Sequence, residues 1–234
     1  MLFINPPFSN YISLPKSISI MGSYTLYPRH GLIQQIIKTL RYDTHRKGWI
    51  NKIGLRNPGI DYAIKHYNKS QIISIALLNE SDIKHIINKI PDDMNIELNV
   101  SCPNTKKHLI NNGLQQFLNP KRKWCVIKLP PLSNIKNVDY YYSVGFRQFH
   151  CCNTLRIKEG GLSGPELKKY TLPLIKNIKQ KYPNTIIIGG GGIRNIKDID
   201  EYNKAGADHF SVSTLCFSPI SFLKLYYFYT TSSS

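Results

Sequence analysis

The sequence predicts an α/β protein of the (β/α)8 TIM-barrel class, built as a single domain. Three observations carry that expectation. Short apolar runs of strand length alternate with helix-patterned segments. Eight such runs can be placed along the chain. Polar and glycine-rich residues collect where the runs end, as they do at the functional face of a barrel. A length of 234 residues suits one barrel. An open doubly wound sheet is the architectural alternative.

After a proline-marked lead-in, Ser17 to Gly22 reads as the first strand. Gly31 to Ile36 follows as a short helix, and Ile36 to Tyr42 as the second strand. The excursion from Asp43 to Gly59 is too long for an ordinary βα loop, and its Gly and Pro specify turns. Asp61 to Asn68 is expected to be helical and Gln71 to Leu78 a buried strand. Ser81 is read as the cap of a helix with Ile83, Ile86, Ile87 and Ile90 at helical spacing. The fourth strand is Asn95 to Ser101, and Trp124 to Leu129 is the fifth, stopped by Pro130-Pro131. A helix from Ile135 to Val144 leads to the sixth strand, Gly145 to Asn153. The loop Gly160 to Pro165 precedes a helix reaching Lys181, with Pro165 in its first turn. Thr185 to Gly189 and His209 to Thr214 are the last two strands, separated by a helix from Ile196 to Ala205. Pro219 to Tyr229 closes a domain spanning 1–229, and 230–234 is expected to be a disordered tail.

The hydrophobic fraction of 41% supports a sizeable core. Net charge is +17, from 31 Lys and Arg against 14 Asp and Glu, but the cations are scattered through a chain rich in Lys, Asn, Ile and Tyr. Compositional bias accounts for that pattern better than a nucleic-acid surface, with attraction of anionic ligands as a by-product. The cysteines at 102, 125, 151, 152 and 216 form no C-x-x-C pair and no metal spacing with His, so reduced thiols are expected and no metal. No run approaches the ~20 apolar residues of a membrane helix. The start has neither a charged n-region nor transit-peptide bias, so a cytoplasmic protein with no membrane partner is expected.

Glu97-Leu-Asn-Val-Ser-Cys-Pro-Asn104 places Asn99, Cys102 and Asn104 where a strand gives way to a loop. Cys102 is either an inert small residue, like Cys125 and Cys151, or a thiol favoured as thiolate by nearby lysines and fit for acid–base work. Lys38 and Lys128 each read as lying near the end of an apolar strand, reaching the mouth or else an exposed edge. Asn51, Asn99, Asn104 and Asn153, with Thr154, would together suit a planar heterocycle bearing carbonyl and N–H groups. The tract Gly189 to Gly192, followed one strand later by Ser213-Thr214, suits a phosphate held after strands seven and eight.

Taken together, these stretches resemble the dihydroorotate dehydrogenase family. The matching segments are IKT at 37–39, NKIGLRNPG at 51–59, ELNVSCPN at 97–104 and IKLPP at 127–131. NT at 153–154, GGLSGP at 160–165, IIGGGGI at 187–193 and VST at 212–214 follow in the family's order. The resemblance implies a flavin mononucleotide (FMN) barrel that oxidises dihydroorotate to orotate in pyrimidine synthesis. It implies Cys102 as the general base at C5 while hydride leaves C6 for the flavin, cysteine being the base of the soluble class. Lys38, Asn51, Ile53, Gly54, Leu55, Asn99, Asn104, Asn153 and Thr154 match substrate positions. Lys38, Thr39, Asn99, Lys128, Gly164, Gly191, Gly192, Ser213 and Thr214 match flavin positions, with Met21-Gly22 a poorer fit. The family's soluble members are commonly dimers, so a homodimer is implied; the electron acceptor is not readable. The segment after Cys102 is shorter than the family's lid.

Two other readings compete. A tRNA-dihydrouridine synthase-like flavin barrel would use the positive charge on phosphates, but NKIGLRNPG and GGLSGP fit it less well. A barrel that binds an anion or nucleic acid without turnover is motivated by the short lid and opposed by Cys102, Lys38 and Lys128.

Overall fold

The barrel's first strand comes from the segment that reads as a lead-in. In the computed structural model, which describes residues 1–100 and 112–231, β1 spans Leu2–Ile4 and β2 spans Ser17–Tyr24. Helix α1 (Leu32–Thr39) and a hairpin of β3 (Arg41–Asp43) and β4 (Gly48–Asn51) follow. Then come α2 (Ile60–Lys65), β5 (Gln71–Ala76), α3 (Ser81–Ile87), β6 (Ile96–Asn99), β7 (Cys125–Leu129), α4 (Ile135–Ser143) and β8 (Gln148–Cys151). A second hairpin, β9 (Leu155–Ile157) and β10 (Gly160–Ser163), precedes α5 (Lys168–Lys181). The chain continues through β11 (Ile186–Gly190), α6 (Ile196–Ala205), β12 (His209–Val212) and α7 (Pro219–Thr231).

Eight strands close a barrel in the order β1, β12, β11, β8, β7, β6, β5, β2, every pair parallel. The barrel class therefore holds, and the open sheet does not. The two hairpins join into a four-stranded antiparallel sheet, β3-β4-β10-β9, beside the barrel.

The expected strand from Ile36 to Tyr42 is corrected: its first half is the end of α1 and its second half is β3. Leu32, Ile33, Ile36 and Ile37 lie at helical spacing, and a short apolar run does not by itself distinguish the two periods. The missing barrel strand is β1, three residues long and fully buried. Gly160 to Ser163 is strand β10 rather than a flexible loop. Glycine is needed there because a Cβ at Gly160 would fall 2.4 Å from the Asn51 carbonyl oxygen. Ser81 opens α3 without capping it; Asp82 Oδ2 instead accepts the backbone N–H groups of Leu78 (2.9 Å) and Asn79 (3.1 Å). Thr230 and Thr231, expected in the tail, are the last turn of α7.

Alternate residues of each strand face opposite ways. Ile73, Ile75, Leu98, Ile127 and Phe149 belong to the core between barrel and helices. Phe3, Ile20, Ile72, Trp124, Val126 and Ile188 form a separate apolar cluster inside the barrel, toward the strands' N-terminal ends. Two residues further along several of the same strands, the interior becomes polar: Ser74, Glu97, Lys128, His150 and Ser211 are all buried there.

Candidate active site

Each barrel strand points its C-terminal end to one face, and the loops after β6, β7, β8, β11 and β12 meet there. Asn99 ends β6 and registers with Lys128 on β7, which registers with His150 on β8. Asn153 follows β8, and its Nδ2 donates to Asn99 Oδ1 at 3.0 Å. Asn99 Nδ2 in turn donates to Ser23 Oγ at 2.9 Å, and Ser23 Oγ lies 2.9 Å from Ser74 Oγ. A hydrogen-bonded path thus runs from the mouth down into the barrel.

At its lower end is Glu97, a carboxylate with no exposed surface. Its Oε1 accepts from Ser74 Oγ at 2.8 Å and lies 3.3 Å from Lys128 Nζ. Its Oε2 is 2.5 Å from His150 Nδ1, and His150 Nε2 is 2.7 Å from Ser211 Oγ. Burial alone would raise the Glu97 carboxyl, but Lys128, then His150 and Ser74, outweigh it and bring it to about 2. Burial holds His150 below its ordinary value despite Glu97. A neutral imidazole with its hydrogen on Nδ1 satisfies the network: it donates to Glu97 and accepts from Ser211. Serine, histidine and glutamate stand here in the order of an acyl-transfer triad. The serine is enclosed, however: Ser211 is 2% exposed, and a Cβ on Gly190 would fall 2.0 Å from its Oγ. No acyl group fits against it.

At the neighbouring strand end, next to β8, Gly191 (φ +96°) and Gly192 (φ +84°) turn the chain out of β11. Tyr202 of α6 donates its hydroxyl to the carbonyls of Gly190 (2.8 Å) and Gly191 (2.6 Å), pinning that turn. A Cβ on Gly192 would lie 2.6 Å from the Gly164 oxygen, and one on Gly164 would lie 2.8 Å from Gly48 Cα. The loops after β10 and β11 and the start of β4 therefore touch through backbone alone. Ser213 and Thr214 follow β12, and Ser213 Oγ donates to the Pro6 carbonyl at 2.6 Å. The thiols of Cys125, Cys152 and Cys216 are pushed up to about 12 by burial, and burial also raises that of Cys151 well above its ordinary value. They are packing residues.

The structure brings Asn99, Lys128, Asn153, Thr154, Gly191, Gly192, Ser213 and Thr214 to the barrel mouth. Gly164 joins them by its contact with Gly192. Asn51 ends β4, and Ile53, Gly54 and Leu55 follow it in a turn with φ of +68° at Gly54 and +57° at Leu55. Asn51 Oδ1 accepts the Ile53 N–H at 3.3 Å, which shapes that turn. Lys38 is placed on a helix rather than at a strand end. It is exposed on α1, and no barrel strand carries it. Thr39 Oγ1 ties α1 to the end of β4 instead, donating to the Gln35 carbonyl (2.8 Å) and accepting from Lys52 N (3.0 Å). Cys102 and Asn104 lie outside the described residues.

Three residues escaped the sequence reading. Glu97, His150 and Ser211 sit in runs read as buried strands, and the usable signal was the alternation that turns them all inward. Asn5 is a fourth. It follows β1 at the mouth, is 8% exposed, and has a buried Oδ1 with no hydrogen-bond partner among the described residues. An orphaned buried acceptor there suits a ligand N–H.

Compared with known proteins, residues 8–223 match the family model described as dihydroorotate dehydrogenase. The catalytic subunit of dihydroorotate dehydrogenase B (NAD(+)) from Thermotoga maritima is 29% identical, with 93% of each chain covered. The protein of that name from Oceanobacillus iheyensis is 32% identical over 73% of this chain and 67% of its own. Among solved structures, a dihydroorotate dehydrogenase from Eimeria tenella, crystallised with ferulenol, shares the fold with a TM-score of 0.71 at 17% identity. That match covers 89% of this chain and 72% of the other.

Proposed function

The chain belongs to the dihydroorotate dehydrogenase family, and from that premise we propose that it oxidises dihydroorotate to orotate at the barrel mouth, with FMN as its bound cofactor. The observation that carries the reading is the convergence of Asn99, Asn153 and Lys128 at adjoining strand ends, with the carboxamides bonded to each other at 3.0 Å. The residues present fit a flavin. Gly191, Gly192, Ser213 and Thr214 offer backbone N–H groups, and Thr214 a hydroxyl, for its phosphate. Lys128 supplies a cation, and the Asn5 acceptor suits a ring N–H. When bound, the flavin would accept the hydride from C6 of dihydroorotate.

The other steps fall to the chain. Asn99 and Asn153, with Asn51, Asn104 and Thr154, bind and orient the substrate's carbonyl, N–H and carboxylate groups. Ile53, Gly54 and Leu55 close over it from the turn after β4. Cys102 takes the C5 proton as general base. Lys38 and Thr39 are given no part in this proposal, since α1 rather than a barrel strand carries them. The relatives' names make NAD+ the final electron acceptor of the proposal, with a separate subunit to deliver the electrons. A homodimer remains the assembly the resemblance implies. No helix among the described residues is long and apolar enough to cross a membrane.

The test is spectroscopic. Protein reconstituted with FMN is expected to be yellow and to bleach with anaerobic dihydroorotate. A chain that takes up no FMN refutes the proposal. One that stays yellow with dihydroorotate, but shows salt-sensitive tRNA binding, moves the tRNA-dihydrouridine reading ahead.

A further inference from the structure

Resting on the flavin reading above, we infer that His150 is a positioning residue: acting through the Glu97 carboxylate from inside the closed barrel, it sets how much of the Lys128 charge reaches a ligand at the mouth.

Glu97 shares one negative charge among three partners. His150 Nδ1 holds Oε2 at 2.5 Å, Ser74 Oγ holds Oε1 at 2.8 Å, and Lys128 Nζ is the most distant of the three at 3.3 Å. Two neutral donors therefore occupy the carboxylate at close range, and the cation is its loosest partner. Ser211 makes this stable: by donating to His150 Nε2 at 2.7 Å it keeps the imidazole hydrogen on Nδ1, facing Glu97. The groups facing the imidazole are thus Glu97, Lys128 on the neighbouring strand and the Ser211 hydroxyl. Because all of this is buried, water does not screen it, and a change at any member is felt by the others.

Without the His150 donor, Oε2 loses its short bond and the carboxylate turns toward its remaining cation. Lys128 is then drawn down and its charge more fully offset. A flavin that takes up a hydride gains one negative charge, so a cation held back at the mouth favours the reduced form less. His150 would in this way adjust the cofactor without touching it.

The experiment compares wild type with His150→Leu, which removes the donor, and His150→Gln, which restores an N–H. FMN affinity is read from flavin fluorescence, and the reduction potential of the bound flavin by equilibration with a redox dye. His150→Leu is expected to lower the affinity for reduced relative to oxidised flavin about tenfold, a shift of about 30 mV for a two-electron couple. His150→Gln is expected to recover most of it. A role in packing alone would lower thermal stability in both variants and leave that ratio unchanged, which overturns the inference. A wild-type chain that binds no FMN defeats the flavin reading instead. The coupling is then read on Lys128 itself, by NMR of the 13C-dimethylated amine assigned with Lys128→Arg. An unmoved Lys128 resonance in His150→Leu overturns the inference there too.

Discussion

His150 Nδ1 lies 2.5 Å from Glu97 Oε2, with both side chains wholly enclosed by the barrel. A carboxylate in such a place survives only with both oxygens engaged by donors. Ser74, Lys128 and His150 provide that engagement from β5, β7 and β8.

The network makes stability depend on acid. Glu97 is held at about 2, below its ordinary 4.5, and His150 is held below its ordinary 6.5. Both folded values are depressed, so both contributions are complete above the unfolded values and are lost as pH falls. The loss begins below pH 6.5 with His150 and deepens from 4.5 toward 2 with Glu97. For Glu97 it is on the order of 3 kcal/mol. Urea midpoints should fall from pH 7 through 5.5 to 4, and Glu97→Gln, less stable at pH 7, should show a flatter acid limb.

The two lysines singled out by sequence should behave differently. Lys38→Ala alters an exposed helix position and should leave stability within about 0.5 kcal/mol and FMN binding intact. Lys128→Met keeps most of the stem but strands a buried carboxylate, which should cost about 3–5 kcal/mol and weaken FMN binding. Equal effects from the two substitutions, by thermal melt and flavin titration, would contradict this placement.

Gly192 and Gly31 offer a matched pair. Both have positive φ, but a Cβ at Gly192 meets the Gly164 oxygen at 2.6 Å, whereas at Gly31 its nearest neighbour is the Gln34 side chain at 3.7 Å. Gly31→Ala should cost about 1 kcal/mol, for backbone conformation alone. Gly192→Ala should cost more than about 2 kcal/mol and loosen FMN binding, because the Gly164 loop must move. Melting temperatures and flavin dissociation constants check both.

Cys102→Ala should keep bound FMN while slowing its reduction by dihydroorotate by about 10²–10⁴-fold, the usual contribution of a general base. Stopped-flow bleaching measures this directly, and an unchanged rate removes Cys102 from that role.

Seven of the eight barrel strands were legible because parallel strands covered on both faces read as apolar runs bounded by Gly and Pro. One of those seven, β2, was numbered first, because three residues from Leu2 to Ile4 are too few to show a period. Its vacant place was filled by Ile36 to Tyr42, whose isoleucines serve a helix. The glycine and asparagine positions at the mouth were legible because strand ends announce themselves. The charged interior was not. His150 lies between Phe149 and Cys151 in a run that looks uniformly buried, and only the barrel's in–out alternation separates it from its neighbours. Asn5 was hidden for the same reason as β1.

The apolar cluster of Phe3, Ile20, Ile72, Trp124, Val126 and Ile188 lies just below that charged layer. It makes the barrel a vessel stoppered at one end. Among the described residues, the polar path from Glu97 and His150 leads toward the mouth, by way of Asn99, Asn153 and Lys128. Whatever occupies the mouth then covers the polar end of that path and slows the exchange of protons between His150 and solvent.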